Sequence, residues 1–193
     1  VKVNTVLLWL LLGLAVGVLV GVEVERSGFD YACPSRTCVD SAEVTPVFDR
    51  GYYDKADEVI SGAKHSIHII AFEMKYYKTN PGSSQNKLVR ELIYAKERGV
   101  DVKVLSDQYS TQDNAYDILK ANNVEVRMDS NSTTTHAKLI IVDGRIILLG
   151  STNFSYTALE LNNEANVLIN DEKIAEQYER YFQSLWDAGT PVG

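Results

Sequence analysis

"THAKLIIVDGRIILLGSTNFS", residues 135–155, decides how this chain folds. Its apolar letters describe two short strands, about 137–142 and 146–149. They are joined at Asp143-Gly144, a dipeptide that tolerates positive φ and is a strong hairpin signal. A hairpin does not account for the polar letters. Side chains alternate along a strand, so His136 and Lys138 point to one face and can reach one ligand. Ser151 and Asn153 lie two apart beyond Gly150, where a missing Cβ allows close approach of the backbone.

Those four side chains carry a consistent chemistry. An imidazole acts as nucleophile or general acid near neutral pH. An ammonium binds an anionic oxygen, and a hydroxyl and an amide add hydrogen bonds. Together they suit a phosphate diester: charge and donors reach its equatorial oxygens while the imidazole attacks phosphorus.

Outward from the hairpin, the pattern alternates helix and strand. "EVTPVFDRG" opens the domain as an extended entry and turn. Tyr52, Ala56, Val59, Ile60 and Ala63 form a helical stripe across 52–64. "SIHIIAF" (66–72) reads as a buried strand and "NPGSS" (80–84) as a loop. Asn86 to Arg98 is a helix stopped by Gly99. "VDVKVLS" (100–106) and "VEVRM" (124–128) alternate as strands, with a short helix over 114–122 between them. "EANVLIN" (164–170) is a further strand. Asp171 N-caps a last helix whose stripe is Ile174, Tyr178, Tyr181, Phe182, Leu185 and Trp186. Crossovers combined with a hairpin predict an α/β fold: a mixed sheet sandwiched between helices, over residues 44–193.

A net charge of −7 argues against a nucleic-acid binder relying on overall basicity. Locally, eight Lys/Arg face four acids between Lys64 and Lys103, either a cationic surface or a solvated helix face. Residues 6–22, "VLLWLLLGLAVGVLVGV", are uncharged and apolar, near the lower limit for a membrane span. Lys2 precedes them and Glu23 and Glu25 follow. That bias puts the catalytic domain on the extracytoplasmic side of a retained anchor. A signal peptide cleaved near Ala15-Val16-Gly17 is the alternative, giving a secreted or periplasmic domain. Residues 23–43 read as a linker. Within it Cys33 and Cys38 are too few for a structural zinc site, and a local disulfide is an open alternative.

The motif H-x-K-x4-D-x6-G-S-x-N, read as His136, Lys138, Asp143, Gly150, Ser151 and Asn153, resembles the HKD motif of the phospholipase D superfamily. "SIHIIAFEM", "AKERGVDVKVLSD" and "NNEANVLI" extend the likeness over about residues 44–188. The resemblance implies a phosphohistidine mechanism that needs no metal or cofactor. His136 and Lys138 would be catalytic, Ser151 and Asn153 would bind substrate, and Glu164 would orient the histidine. Asp143 ranks below them, being equally well explained as the turn residue. His65 and His68 lack the motif, and His68 reads as structural. The second imidazole is therefore expected from another copy of the chain, in a twofold homodimer.

Small single-motif members of that superfamily include bacterial endonucleases of low sequence specificity, which makes a nuclease the first expectation. A phospholipid hydrolase is the second, because an anchor would hold the site near headgroups. A non-catalytic nucleic-acid or headgroup binder is the third.

Overall fold

Ile67, Ile69 and Ala71 point to one side of an extended segment and Ile70 to the other, and all four are buried. Such a strand needs cover on both faces. The computed structural model of the protein, which describes residues 42–108, 112–129 and 133–192, provides it. The chain runs β1 (Glu43–Phe48), α1 (Gly51–Ser61), β2 (Ser66–Ala71), α2 (Ser84–Glu97), β3 (Asp101–Ser106), α3 (Tyr116–Ala121) and β4 (Glu125–Met128). The hairpin β5 (Lys138–Val142) and β6 (Ile146–Gly150) follows, then a π-helical turn (Thr157–Leu161), β7 (Ala165–Asn170), α4 (Glu172–Ala188) and β8 (Thr190–Pro191).

The strands form one eight-stranded sheet in the order β1-β7-β6-β5-β2-β3-β4-β8. The pairs β2–β3 and β3–β4 are parallel and the rest antiparallel, the mixed sheet expected from the sequence. Two elements escape the sequence reading, the π-helical turn and the two-residue β8. The apolar segment 6–22 and Cys33 and Cys38 lie outside the described residues. Among the described residues no helix is long and apolar enough to cross a membrane.

Alternation along the strands divides the core in two. Ile67, Ile69, Ile140, Val142 and Leu148 face α1, α2 and α3. Ile70, Leu139, Ile141 and Ile147 face Phe182 and Trp186 of α4. Asp171 caps α4 as its spacing predicts, accepting from Ile174 N at 2.9 Å. His68 belongs to this second face. Its ring stacks on Phe182 at 4.7 Å and its Nδ1 lies 2.7 Å from Glu179 Oε2, a core partnership.

Helix α4 packs over β2, β5 and β6, and Ile169 of β7 joins that core, whereas the same face of β1 stays exposed. There Val44 and Phe48 are 56% and 63% exposed, opposite Ile169 and Ala165 in the ladder. At the other end of β6 the strands draw close. A Cβ on Gly150 would stand 2.5 Å from Ala165 O and 2.6 Å from Asn166 Cα. Gly150→Ala should therefore cost about 1–3 kcal/mol through overpacking. Urea unfolding measures this, and unchanged stability would show that β6 and β7 do not approach so closely.

Candidate active site

Strand direction gathers the polar letters of the opening stretch. β5 and β7 begin, and β1 to β4 and β6 end, at one end of the sheet, which therefore receives His136, Lys138, Ser151, Asn153 and Glu164. The carboxyl ends of the parallel strands β2 to β4 open there too, the end where α/β sheets place ligands.

His136 is exposed and lies two residues ahead of β5. Lys138 Nζ sits 3.0 Å from its Nδ1 and 3.3 Å from its Nε2, and donates to His136 O at 2.7 Å. The pair thus converges as the alternation argument requires. Phe72 supports both: its ring centroid is 4.4 Å from that of His136, and Lys138 Nζ lies 5.1 Å from it. Partial burial holds the Lys138 ammonium below the usual lysine range, while the carboxylates of Glu164 and Glu73 oppose that shift. The result is a cation that gains from a further anionic partner.

Ser151 Oγ donates a short hydrogen bond to Glu164 Oε2 and accepts from Ala165 N at 3.1 Å. Asn162 Nδ2 donates to the other oxygen of Glu164 at 3.0 Å. Glu164 is thus brought to Ser151 and within electrostatic reach of Lys138. It makes no hydrogen bond to His136, the partner that the resemblance implies. Asn153 Oδ1 is shielded and has no hydrogen-bond partner among the described residues. An unmatched buried acceptor costs about 1–3 kcal/mol, so a donor arriving there is favoured. The adjoining backbone is tied across the site, with Phe154 N donating to Glu73 O at 3.1 Å and Lys75 N to Phe154 O at 2.8 Å.

Asp143 is not brought to this end. It closes the hairpin at φ 53°, and about 17 Å of strand separates it from Lys138. Its carboxylate accepts from the backbone of Lys64 (3.0 Å), His65 (2.7 Å) and Ser66 (2.9 Å). Burial alone would raise its pKa, but those three N–H groups and the nearby His65 outweigh it and hold the value below the usual carboxylate range. The expected catalytic part for Asp143 is corrected to a structural one, because its acceptor sites are occupied far from the imidazole.

Phe72, Glu73 and Lys75 went unnoticed in the sequence. One signal could have found them: they directly follow β2, at the ligand-binding end of a parallel strand. Among the described residues no group of three or more His, Cys, Asp or Glu side chains is placed to hold a metal ion.

A mixed α/β sheet with His-x-Lys, Ser-x-Asn and a carboxylate at one end defines a phospholipase D-like protein. The family described as "Cardiolipin synthase, PLD-like domain" matches residues 57–186, and the chain belongs to that phospholipase D-like family of enzymes. It is 35% identical to a mitochondrial cardiolipin hydrolase of Chlamydomonas reinhardtii over 47% of this chain and 41% of that protein. It is 33% identical to a phospholipase D of Rickettsia typhi over 55% of this chain and 53% of that protein. The chain spans about half the length of these curated relatives. The crystal structure of the phospholipase D family member Nuc from Salmonella typhimurium superposes with a TM-score of 0.68 at 28% identity. That match covers 79% of this chain and 99% of Nuc.

Asp143→Asn should destabilise the fold by about 1–3 kcal/mol while leaving turnover per folded molecule unchanged. A lowered carboxyl pKa means stability present above the unfolded value, near 4, and lost as pH falls through the folded one. The difference between wild type and variant should therefore be full at neutral pH and vanish toward pH 2. Denaturant unfolding across that range, paired with rates, checks both parts.

Proposed function

We propose that the domain is a metal-independent phosphodiesterase whose complete site forms between two copies of the chain, and that it cleaves nucleic acid. The supporting observation is the placement of the three histidines. His136 stands with Lys138, Ser151 and Asn153. His68 is packed against Phe182 on the α4 face, and the backbone of His65 lies beside Asp143 at the opposite end. A second imidazole for leaving-group protonation is therefore supplied by His136 of another copy.

In this reading a ring nitrogen of His136 attacks phosphorus as the P–O bond to the leaving group breaks. The second imidazolium gives its proton to the departing oxygen. Water then attacks the phosphohistidine, losing its proton to that same imidazole and releasing His136. Lys138 and the amide of Asn153 hold the equatorial oxygens through both steps, where the charge is spread.

The choice of nucleic acid draws on a cavity of about 350 Å³ on the segment leading out of the site. Tyr76, Tyr77, Lys78 and Asn114 line it together with Asp113 and Asp117, so its rings suit stacking on a base while its two acids disfavour a phosphate beside them. The cationic surface expected over 64–103 is only partly available. Lys75 and Lys103 pair with Glu73 and Asp101, while Arg90 and Arg98 donate to backbone carbonyls.

A phospholipid substrate is the second reading, favoured by the bare apolar face that carries Val44 and Phe48. The relatives named for cardiolipin hydrolysis and phospholipase D activity support it as well. The membrane placement expected from residues 6–22 is compatible with either reading.

The test incubates the protein with single- and double-stranded nucleic acid, a bis-aryl phosphodiester and phospholipid vesicles in excess EDTA. Nucleic-acid cleavage should persist, and His136→Ala should lower it at least about a thousandfold. Dilution below the dimer dissociation constant should abolish it. Vesicle turnover alone would replace the substrate, loss in EDTA would overturn the mechanism, and binding without turnover would leave a binding module.

A further inference from the structure

The chain reaching His136 is irregular, since β5 starts only at Lys138 and residues 134–137 carry no regular structure. Two backbone groups anchor it across the sheet. Phe72 N donates to Ala137 O at 3.2 Å, and Thr135 N–H is shared between two carboxylates. Thr135 N stands 2.9 Å from Asp107 Oδ2 and 3.0 Å from Asp129 Oδ2.

The two acids are neighbours because β3 and β4 run parallel with Ser106 opposite Met128, and an aspartate follows each. Both are buried, at 0% and 4% exposure, as is Thr135. Asp129 directs its other oxygen to Gln108 N at 3.3 Å, and the Asp107 N–H bonds Ala71 O at 3.3 Å. Ala71 is the ladder partner of Lys138, so the clamp and the catalytic lysine share one strand end. Apolar side chains of similar size would fill the same space but leave the Thr135 N–H without an acceptor in the interior. Two carboxyl groups offer it an oxygen from each side, whereas an amide in either place also carries an NH2 donor.

We propose that Asp107 and Asp129 are positioning residues for His136. They hold the Thr135 N–H and thereby fix where the next side chain stands relative to Lys138 and Phe72. Neither acid touches the substrate. The proposal builds on His136 as the reacting group, and its consequence is a dependence of kcat on two residues buried behind the site.

The isosteric variants Asp107→Asn, Asp129→Asn and the double variant test it in the full chain, with two readouts. One is kcat and KM on a bis-aryl phosphodiester. The other is the rate at which diethyl pyrocarbonate modifies His136, read by mass spectrometry with His65 and His68 as internal references. The double variant should lose about a hundredfold in kcat, as displacement of a reacting group by about 1 Å does, with KM within twofold. His136 modification should change severalfold while His65 and His68 hold. Should the double variant fail to fold, each single variant carries the same readouts, with about a tenfold loss of kcat expected. A folded variant with a lowered melting temperature but unchanged kcat and His136 reactivity would overturn the clamp. A wild type that turns nothing over would refute the phosphodiesterase instead, and the modification rates would still decide the positioning role.

Discussion

The register of β5 against β2 is the constraint on which the rest depends. Ala71 stands opposite Lys138 and Ile67 opposite Val142, so β5 enters the sheet antiparallel beside the first of three parallel strands. A slip by one residue would turn Lys138 to the α4 face and drive Leu139 and Ile141 into the wrong core. Apolar pattern alone resists that weakly here, because β5 is buried on both faces and reads Leu-Ile-Ile-Val throughout. The Asp143 carboxylate, gripping three successive N–H groups at the start of β2, supplies the missing specificity. The residue that the motif presents as catalytic thus acts at a distance, through the strand it pins.

Much of this was legible in the sequence because it obeys local rules. The Asp143-Gly144 turn, the stripe and cap of α4 and the alternation of β3 depend on neighbours a few residues away. Helix limits fell within about three residues, the largest miss being the end of α1 at Ser61, read as 64. The convergence of His136 with Lys138 agrees with the alternation expected of a strand, although His136 itself lies just ahead of β5. The pairing of Ser151 with Glu164 follows from the antiparallel β6–β7 ladder; the family pattern had placed both in one site but tied Glu164 to the histidine instead. The buried pair Asp107 and Asp129 was not legible at all. Its logic depends on parallel neighbours in register, which no local window contains.

Electrostatically the site is an unfinished balance. Lys138 meets an imidazole, a carbonyl and an aromatic face, and the nearest carboxylates oppose its desolvation without pairing with it directly. Glu164 is taken by Ser151 and Asn162, and Asn153 Oδ1 has no partner among the described residues. Such a cluster is organised around something anionic that also brings a donor.

The two-residue strand β8 has a consequence for the molecule's behaviour in a crowded solution. Thr190 and Pro191 pair with Met128 and Arg127, and Arg127 Nη1 donates to Trp186 O at 2.7 Å. The segment after α4 thereby lies along the outer rim of β4. At the opposite rim, β1 contains Pro46, which offers no N–H to an incoming strand. A wide sheet rich in isoleucine and valine is a hazard for runaway stacking between molecules. Here both borders are blunted, so any association between copies has to proceed through faces and ends rather than by lengthening the sheet.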